Sequence, residues 1–221
     1  MKGKNRSIEQ IVEEQVKRWQ LSRKKEPKRE TPTVITVSRE PGSGGQIIAE
    51  TVAQKLEYDY FHQEVLHRMA DSSQTSVRLL ETLDEKGLST LEESISSIVN
   101  ERHLWPDQYL HHLMKIVGTI GKHGGAVIVG RGANFVIPQS RLLRIRVIAP
   151  RDMRVTNVAK EHAISVKEAR RRILRTEANR KAFVRKYFYA DIENPVNYDL
   201  IVNTGNTHLS KAVEIVISAV K

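Results

Sequence analysis

A short apolar run, VITVS at 34–38, breaks into a glycine-rich turn, PGSGG at 41–45, and resumes as a helical pattern from Gln46 to Leu56. A β-branched run of that length reads as a buried strand. Strand, glycine turn and helix in succession open an α/β domain, and an open parallel sheet binds its ligand beyond the carboxyl ends of its strands. The loop from Ser38 to Gly45 occupies that place. Its glycines let the backbone curl until several N–H groups point inward, and the next helix adds the positive end of its dipole. The segment is a phosphate cradle, with Gly42, Ser43, Gly44, Gly45, Gln46 and Ile47 expected around a nucleotide's phosphates.

Three further runs read as buried strands: AVIVG at 126–130, LLRIRVIA at 142–149 and DLIVNT at 199–204, with Tyr58 to Phe61 as a shorter one. Helical patterns cover 151–162, 165 to about 182 and 208–220, and several helices share 62–123 with a polar interruption at 71–75. Ser165 and Glu168 have the spacing of a capping box. Strands alternating with helices imply a parallel sheet covered on both faces. Ahead of this body, residues 7–25 form an amphipathic pattern with Ile8, Ile11, Val12, Val16, Trp19 and Leu21 near one face and Ser7 capping through Gln10. The charged, proline-bearing KKEPKRETPT that follows reads as a linker. Residues 1–30 are thus a helical arm and linker, and 31–221 one domain. The arm must cover its apolar face, most simply against its own domain, with homo-oligomer formation through this helix as the alternative.

Composition narrows the chemistry. The chain has no cysteine, which removes disulfides, zinc–thiolate sites, iron–sulfur ligation and cysteine nucleophiles. No apolar run approaches the ~18 residues of a spanning helix, and the start, MKGKNRSIEQ, lacks the apolar core of a signal peptide, so a cytoplasmic protein without a membrane partner is expected. The net charge is +10, but its location says more than its size: residues 141–186 hold 15 basic and 4 acidic groups. Four acids cannot neutralise that stretch, so it calls for an anionic partner.

Against the phosphate-loop pattern G-x-x-x-x-G-K-S/T the match is incomplete. With Gly45 as the second glycine, Glu40 stands where the first belongs, Gln46 replaces the lysine that reaches the outer phosphates, and Ile47 replaces the hydroxyl that helps hold magnesium. Gln46 can donate hydrogen bonds but brings no charge. Ile47 cannot ligate a metal, so Mg2+ would be held mainly by phosphates and water. Near the third strand, Arg131 lies between Gly130 and Gly132, where a planar guanidinium can approach an anion with little hindrance. No histidine spacing suggests a metal site; His111 and His112 are adjacent and point to different sides of a helix.

Three ordered segments, VITVSREPGSGGQIIAETVAQKL, VIVGRGANFV and RTEANRKAFVRKYFYADIENPVNYDLIVNT, resemble the cytidylate kinase-like family of P-loop proteins, relatives of the nucleoside monophosphate kinases, over about residues 33–220. The resemblance implies an α/β, three-layer P-loop NTPase fold: a parallel core sheet, a helical nucleoside-monophosphate region and a basic helical lid at about 165–190, to which this chain adds its N-terminal helix. It implies transfer of the γ-phosphate of ATP to CMP or a similar monophosphate, giving ADP and CDP, with Mg2+. Arg39 and Arg131 would contact the acceptor, Arg131 by analogy with a GRD-type turn. Arg175 and Arg180, the latter three residues after Glu177, would be the lid arginines, with Arg172, Arg185 and Lys186 behind them. The family commonly carries a basic residue at the position of Gln46, so lid arginines are expected to take a larger share of the charge here. Two other readings stand beside this one. A nucleotide-binding protein of the same fold with little or no kinase activity, serving as a sensor or assembly module, would account for Gln46 and Ile47. A nucleic-acid-binding module is suggested by AISVKEARRRIL between two helices, but that stretch lacks interleaved aromatics and leaves the phosphate loop unexplained, so nucleotides rather than nucleic acid are the expected partners.

Overall fold

The computed structural model describes residues 7–22, 34–104 and 107–220. In chain order the elements are α1 (Ile8–Ser22), β1 (Val34–Arg39), α2 (Gly45–Leu56), β2 (Asp59–Phe61), α3 (Gln63–Ala70), α4 (Ser73–Leu80), α5 (Glu85–Glu101), α6 (Gln108–His123), β3 (Ala126–Val129), β4 (Leu142–Ile148), α7 (Arg151–His162), α8 (Val166–Phe188), β5 (Leu200–Asn203) and α9 (Leu209–Val220). All five expected strands are present. The helix expected to end near 182 runs on to Phe188, because Val184 and Phe188 are buried in the core and extend its apolar face. The linker expected at 24–33 lies outside the described residues.

Every strand pairing is parallel, in the order β2-β3-β1-β4-β5. Residues alternate between faces along β1. Ile35 and Val37 join a core with α2 and α9 that includes Ile48, Val52, Val213 and Val216, while Val34 joins a second core containing Leu66, Leu113, Ile116 and Val117 from α3 and α6. The sheet is thus the middle of three layers, an α/β P-loop architecture. Because β1 has β3 on one side and β4 on the other, the chain leaves it in opposite directions, and the crevice at its carboxyl end is the place for a ligand.

Helix starts follow the sequence closely. Ser165 Oγ accepts from the Glu168 N–H at 3.2 Å while Glu168 accepts from the Ser165 N–H at 3.0 Å, a complete capping box. Ser7 and Gln10 make the same reciprocal pair at 3.3 and 2.9 Å. Asp84 and Asp107 cap α5 and α6. Helix α1 lies against its own domain: Val12 and Trp19 are buried in the second core, Trp19 stacks on His123 with ring centroids 4.0 Å apart, and Gln15 and Arg18 both bond to Asp59. Among the described residues no helix is long and apolar enough to cross a membrane.

Candidate active site

The loop after β1 is built by backbone requirements first. Gly42 has φ +77°, and a Cβ there would lie 2.5 Å from the carbonyl oxygen of Arg154, so α7 is packed too closely for any side chain. Three side chains then fix the curl. Asn157 Nδ2 donates to the Gly42 carbonyl (2.8 Å), Thr204 Oγ1 donates to the Ser43 carbonyl (2.8 Å), and the buried Ser43 hydroxyl donates to the Glu40 carbonyl (2.8 Å). Ser43 therefore spends its hydroxyl on the shape of the loop. Gly44 caps α2 without a side-chain hydrogen bond, which leaves the first-turn N–H groups of this helix open to an anion. Gln46 and Ile47 are exposed on that first turn.

Glu40, at the place of the first motif glycine, has a structural role. Its carboxylate accepts from the Ala149 N–H (3.0 Å) and pairs with Arg154 Nε (3.2 Å), and Arg154 Nη1 bonds to Glu177 Oε1 (2.5 Å). One buried guanidinium thus joins the loop, the end of β4 and the middle of α8.

Beside the loop, a cavity of about 300 Å³ opens between the carboxyl ends of β1 and β3 and the inner face of α8. Arg39, Gly130 and Arg131 line it from the sheet side, and Thr176, Asn179, Arg180 and Phe183 from the helix; among the described residues no carboxylate does. Arg39, 7% exposed, donates from Nη2 to Gln63 Oε1 at 2.7 Å, and Arg180 Nη1 donates to the Arg39 carbonyl at 2.7 Å. Arg131 is held at φ +54° with its guanidinium carbon 5.1 Å from the Phe183 ring centroid, and its Nε is buried without a partner. Thr36 Oγ1 and Asn134 Nδ2, also in the cavity wall, are likewise buried and unpartnered. A smaller cavity adjoins the loop, where Arg146 joins Arg39, Glu40, Pro41 and Arg180.

These arginines raise one another's cost of ionisation. Burial, then Arg180 and Arg131, pushes Arg39 down to about 9. Burial, then Arg146, with Arg131 adding to it, pushes Arg180 down to about 10 despite the attraction of Glu177. Among the described residues none of Arg39, Arg131, Arg146 and Arg180 forms a salt bridge. Buried positive charges without counter-ions are expensive, and an arrangement of this kind is suited to binding an anion.

The structure brings Arg39, Arg131 and Arg180 together as the sequence suggested, with Gly42 to Ile47 adjoining them. Arg175 is not among them. It is exposed and lines neither cavity, because the inner face of α8 runs through Thr176, Asn179, Arg180 and Phe183. Arg172 and Arg185 are exposed as well, and Lys186 pairs with Asp107 at 3.4 Å. Sequence reasoning passed over Arg146, Arg154, Asn157, Thr204 and Tyr198. The alternation of Arg144 and Arg146 with Leu143, Ile145 and Val147 was the available signal, since it sets both arginines on one face of a central strand.

The chain is 26% identical over 187 residues to a cytidylate kinase of Archaeoglobus fulgidus, covering 85% of this chain and 94% of that one, and 30% identical over 173 residues to a cytidylate kinase of Pyrococcus horikoshii, covering 77% and 79%. An uncharacterized protein from Eubacterium ventriosum shares the fold with a TM-score of 0.59 at 17% identity, over 85% of this chain and 97% of that one. The model of the cytidylate kinase-like family matches residues 34–206, from the first strand through the phosphate loop and the arginine cavity to the end of the sheet, and the chain belongs to that family.

Proposed function

We propose that the protein is a nucleoside monophosphate kinase-like phosphotransferase that moves the γ-phosphate of ATP to CMP or a similar monophosphate. The observation that carries this reading is the cavity, lined by no carboxylate among the described residues, in which Arg39, Arg131 and Arg180 converge beside an open helix N-terminus. The relatives named cytidylate kinase point to CMP as the acceptor.

The residues present fit two phosphate-bearing ligands. The Gly42 to Gly45 loop and the first turn of α2 would hold the donor's phosphates through backbone N–H groups, with Gln46 adding uncharged donors. Arg39 and Arg131 would hold the acceptor's phosphate, and the Phe183 ring offers an apolar wall for the rest of that molecule. Transfer forms a bond between an acceptor phosphate oxygen and the γ-phosphorus and breaks the bond from that phosphorus to the β,γ-bridging oxygen, leaving ADP and a nucleoside diphosphate. Charge spreads over the migrating oxygens, and Arg180 would meet it from α8. Mg2+ would neutralise donor phosphate charge, held by phosphates and water because Ile47 offers no ligand. The assignment predicts that ADP release with ATP and Mg2+ depends on added monophosphate and falls sharply in Arg131→Ala.

Gln46 and Ile47, both exposed on the first turn of α2, favour a second reading in which the protein binds nucleotide with little or no turnover. Calorimetric ATP binding without ADP release across a panel of monophosphates would select it.

A further inference from the structure

Of the four arginines on β4 and the helix after it, the three that are not exposed, Arg144, Arg146 and Arg154, differ in an informative way in their surroundings. Arg144 is held by Asp199, with Nη2 to Oδ1 at 2.6 Å and the Arg144 N–H to Oδ2 at 2.8 Å, which pins β4 to the start of β5. Arg154 is shared between Glu40 and Glu177. Among the described residues no carboxylate pairs with Arg146. It is 6% exposed, donates from Nη1 to the Ser38 hydroxyl at 2.9 Å, and its guanidinium carbon lies 5.6 Å from the Tyr198 ring centroid. Three carboxylates line the same small cavity, and each has another cation: Glu40 and Glu177 are taken by Arg154, and Glu193 pairs with Lys181 at 2.8 Å.

Arg146 also has a defined place. It pairs in register with Ser38, one residue before the end of β1, and shares the cavity beside the loop with Pro41, Arg39 and Arg180. A buried cation with only neutral partners is tolerated where a ligand supplies the missing charge. The loop beside it lacks the one cation its motif normally brings, because residue 46 is Gln.

We propose that Arg146 is the phosphate-binding cation that stands in for the absent loop lysine, reaching the donor's outer phosphates from the neighbouring strand instead of from the first turn of the helix. This rests on the phosphotransferase reading above and assigns a catalytic residue to it. Arg144, one turn of the pleat earlier on the same face, is the internal control: a strand arginine with a structural duty is given a carboxylate.

The test compares Arg146→Met, which keeps an unbranched apolar stem and removes the charged guanidinium, with Arg144→Met and with the double variant Gln46→Lys/Arg146→Met. Thermal melting of the ligand-free proteins comes first. Arg146→Met is expected to melt no lower than the wild type, since an unpaired charge is removed, whereas Arg144→Met melts lower because Asp199 loses its partner. Inorganic tripolyphosphate and ATP are then titrated by calorimetry, where Arg146→Met is expected to bind at least tenfold more weakly, and kcat is expected to fall about a hundredfold, the scale of losing one charge-stabilising donor. The lysine of the double variant should recover a large part of both losses. A lowered melting temperature with unchanged tripolyphosphate affinity, or a loss that Gln46→Lys leaves untouched, would overturn the assignment while leaving the phosphotransferase reading standing. A wild-type protein that binds neither ATP nor tripolyphosphate would overturn both.

Discussion

Arg180 Nη1 donates to the backbone carbonyl of Arg39 at 2.7 Å, so the long basic helix is fastened to the residue that leads into the phosphate loop. The bond spends one N–H of the guanidinium and leaves the rest facing the cavity, within reach of Arg39's own charge. An arginine held in this way is oriented before any ligand arrives, which lowers the reorganisation required when charge develops on a migrating phosphoryl group.

Arg180→Ala should therefore lower kcat by about a hundredfold or more, with a much smaller effect on ATP binding. Steady-state kinetics set beside calorimetric affinity separates the two. An equal loss in both would mean that Arg180 binds the ground state only.

The buried bridge from Arg154 to Glu40 and Glu177 predicts a stability effect. Arg154→Met leaves two carboxylates facing each other without a cation, and should cost about 3 kcal/mol of folding stability. Urea unfolding measures it directly. Because Glu40 also accepts from the Ala149 N–H, the Glu40→Gln variant keeps one hydrogen bond and should be milder.

Anion affinity should depend on pH in the alkaline range. Burial together with Arg180 and Arg131 places the Arg39 guanidinium at about 9. A phosphate favours its charged form, so binding is full below that value and weakens as pH rises through it. For folding the sign is reversed. The ligand-free fold holds this proton less tightly than the unfolded chain does, so the charge costs stability below that value and the cost is relieved as pH rises. Calorimetry from neutral pH to one unit above the Arg39 value should show the decline in phosphate affinity, flattened in Arg39→Gln.

Gly132 closes the turn that presents Arg131. Its φ is +67°, and a Cβ there would fall 2.1 Å from Phe188 Cε2. Gly132→Asp, which restores the acid of a GRD-type turn, should be destabilising by about 2 kcal/mol from backbone strain and overpacking together. A lowered melting temperature that Phe188→Leu partly restores would trace the cost to this contact.

The strands, the caps at Ser7 and Ser165 and the phosphate loop were legible because each depends on local chemistry: β-branching, side-chain oxygens at helix starts, and glycine where φ is positive. The site was legible only in part. Steps of three and four residues along α8 group Arg172 with either Arg175 or Thr176, and only the packing of Phe183, Val184 and Phe188 decides that the inner face passes through Thr176 and Arg180. Arg154 was hidden for another reason: its two carboxylates, Glu40 and Glu177, lie 114 residues before it and 23 after it in sequence, and only the fold joins them. The charge excess of residues 141–186 divides accordingly into neutralised cations such as Arg144 and Arg154, exposed ones such as Arg175, and the buried Arg146 and half-buried Arg180, which form no salt bridge among the described residues.

The most direct measurement is ADP and nucleoside diphosphate formation by the full-length protein with ATP, Mg2+ and a panel of nucleoside monophosphates, run beside calorimetric ATP binding. A phosphotransferase of this kind should release ADP and nucleoside diphosphate in equal amounts, fastest with CMP, and lose that activity in Arg131→Ala and Arg180→Ala. Nucleotide binding without turnover across the panel would contradict the catalytic reading, and the absence of ATP binding would contradict the site itself.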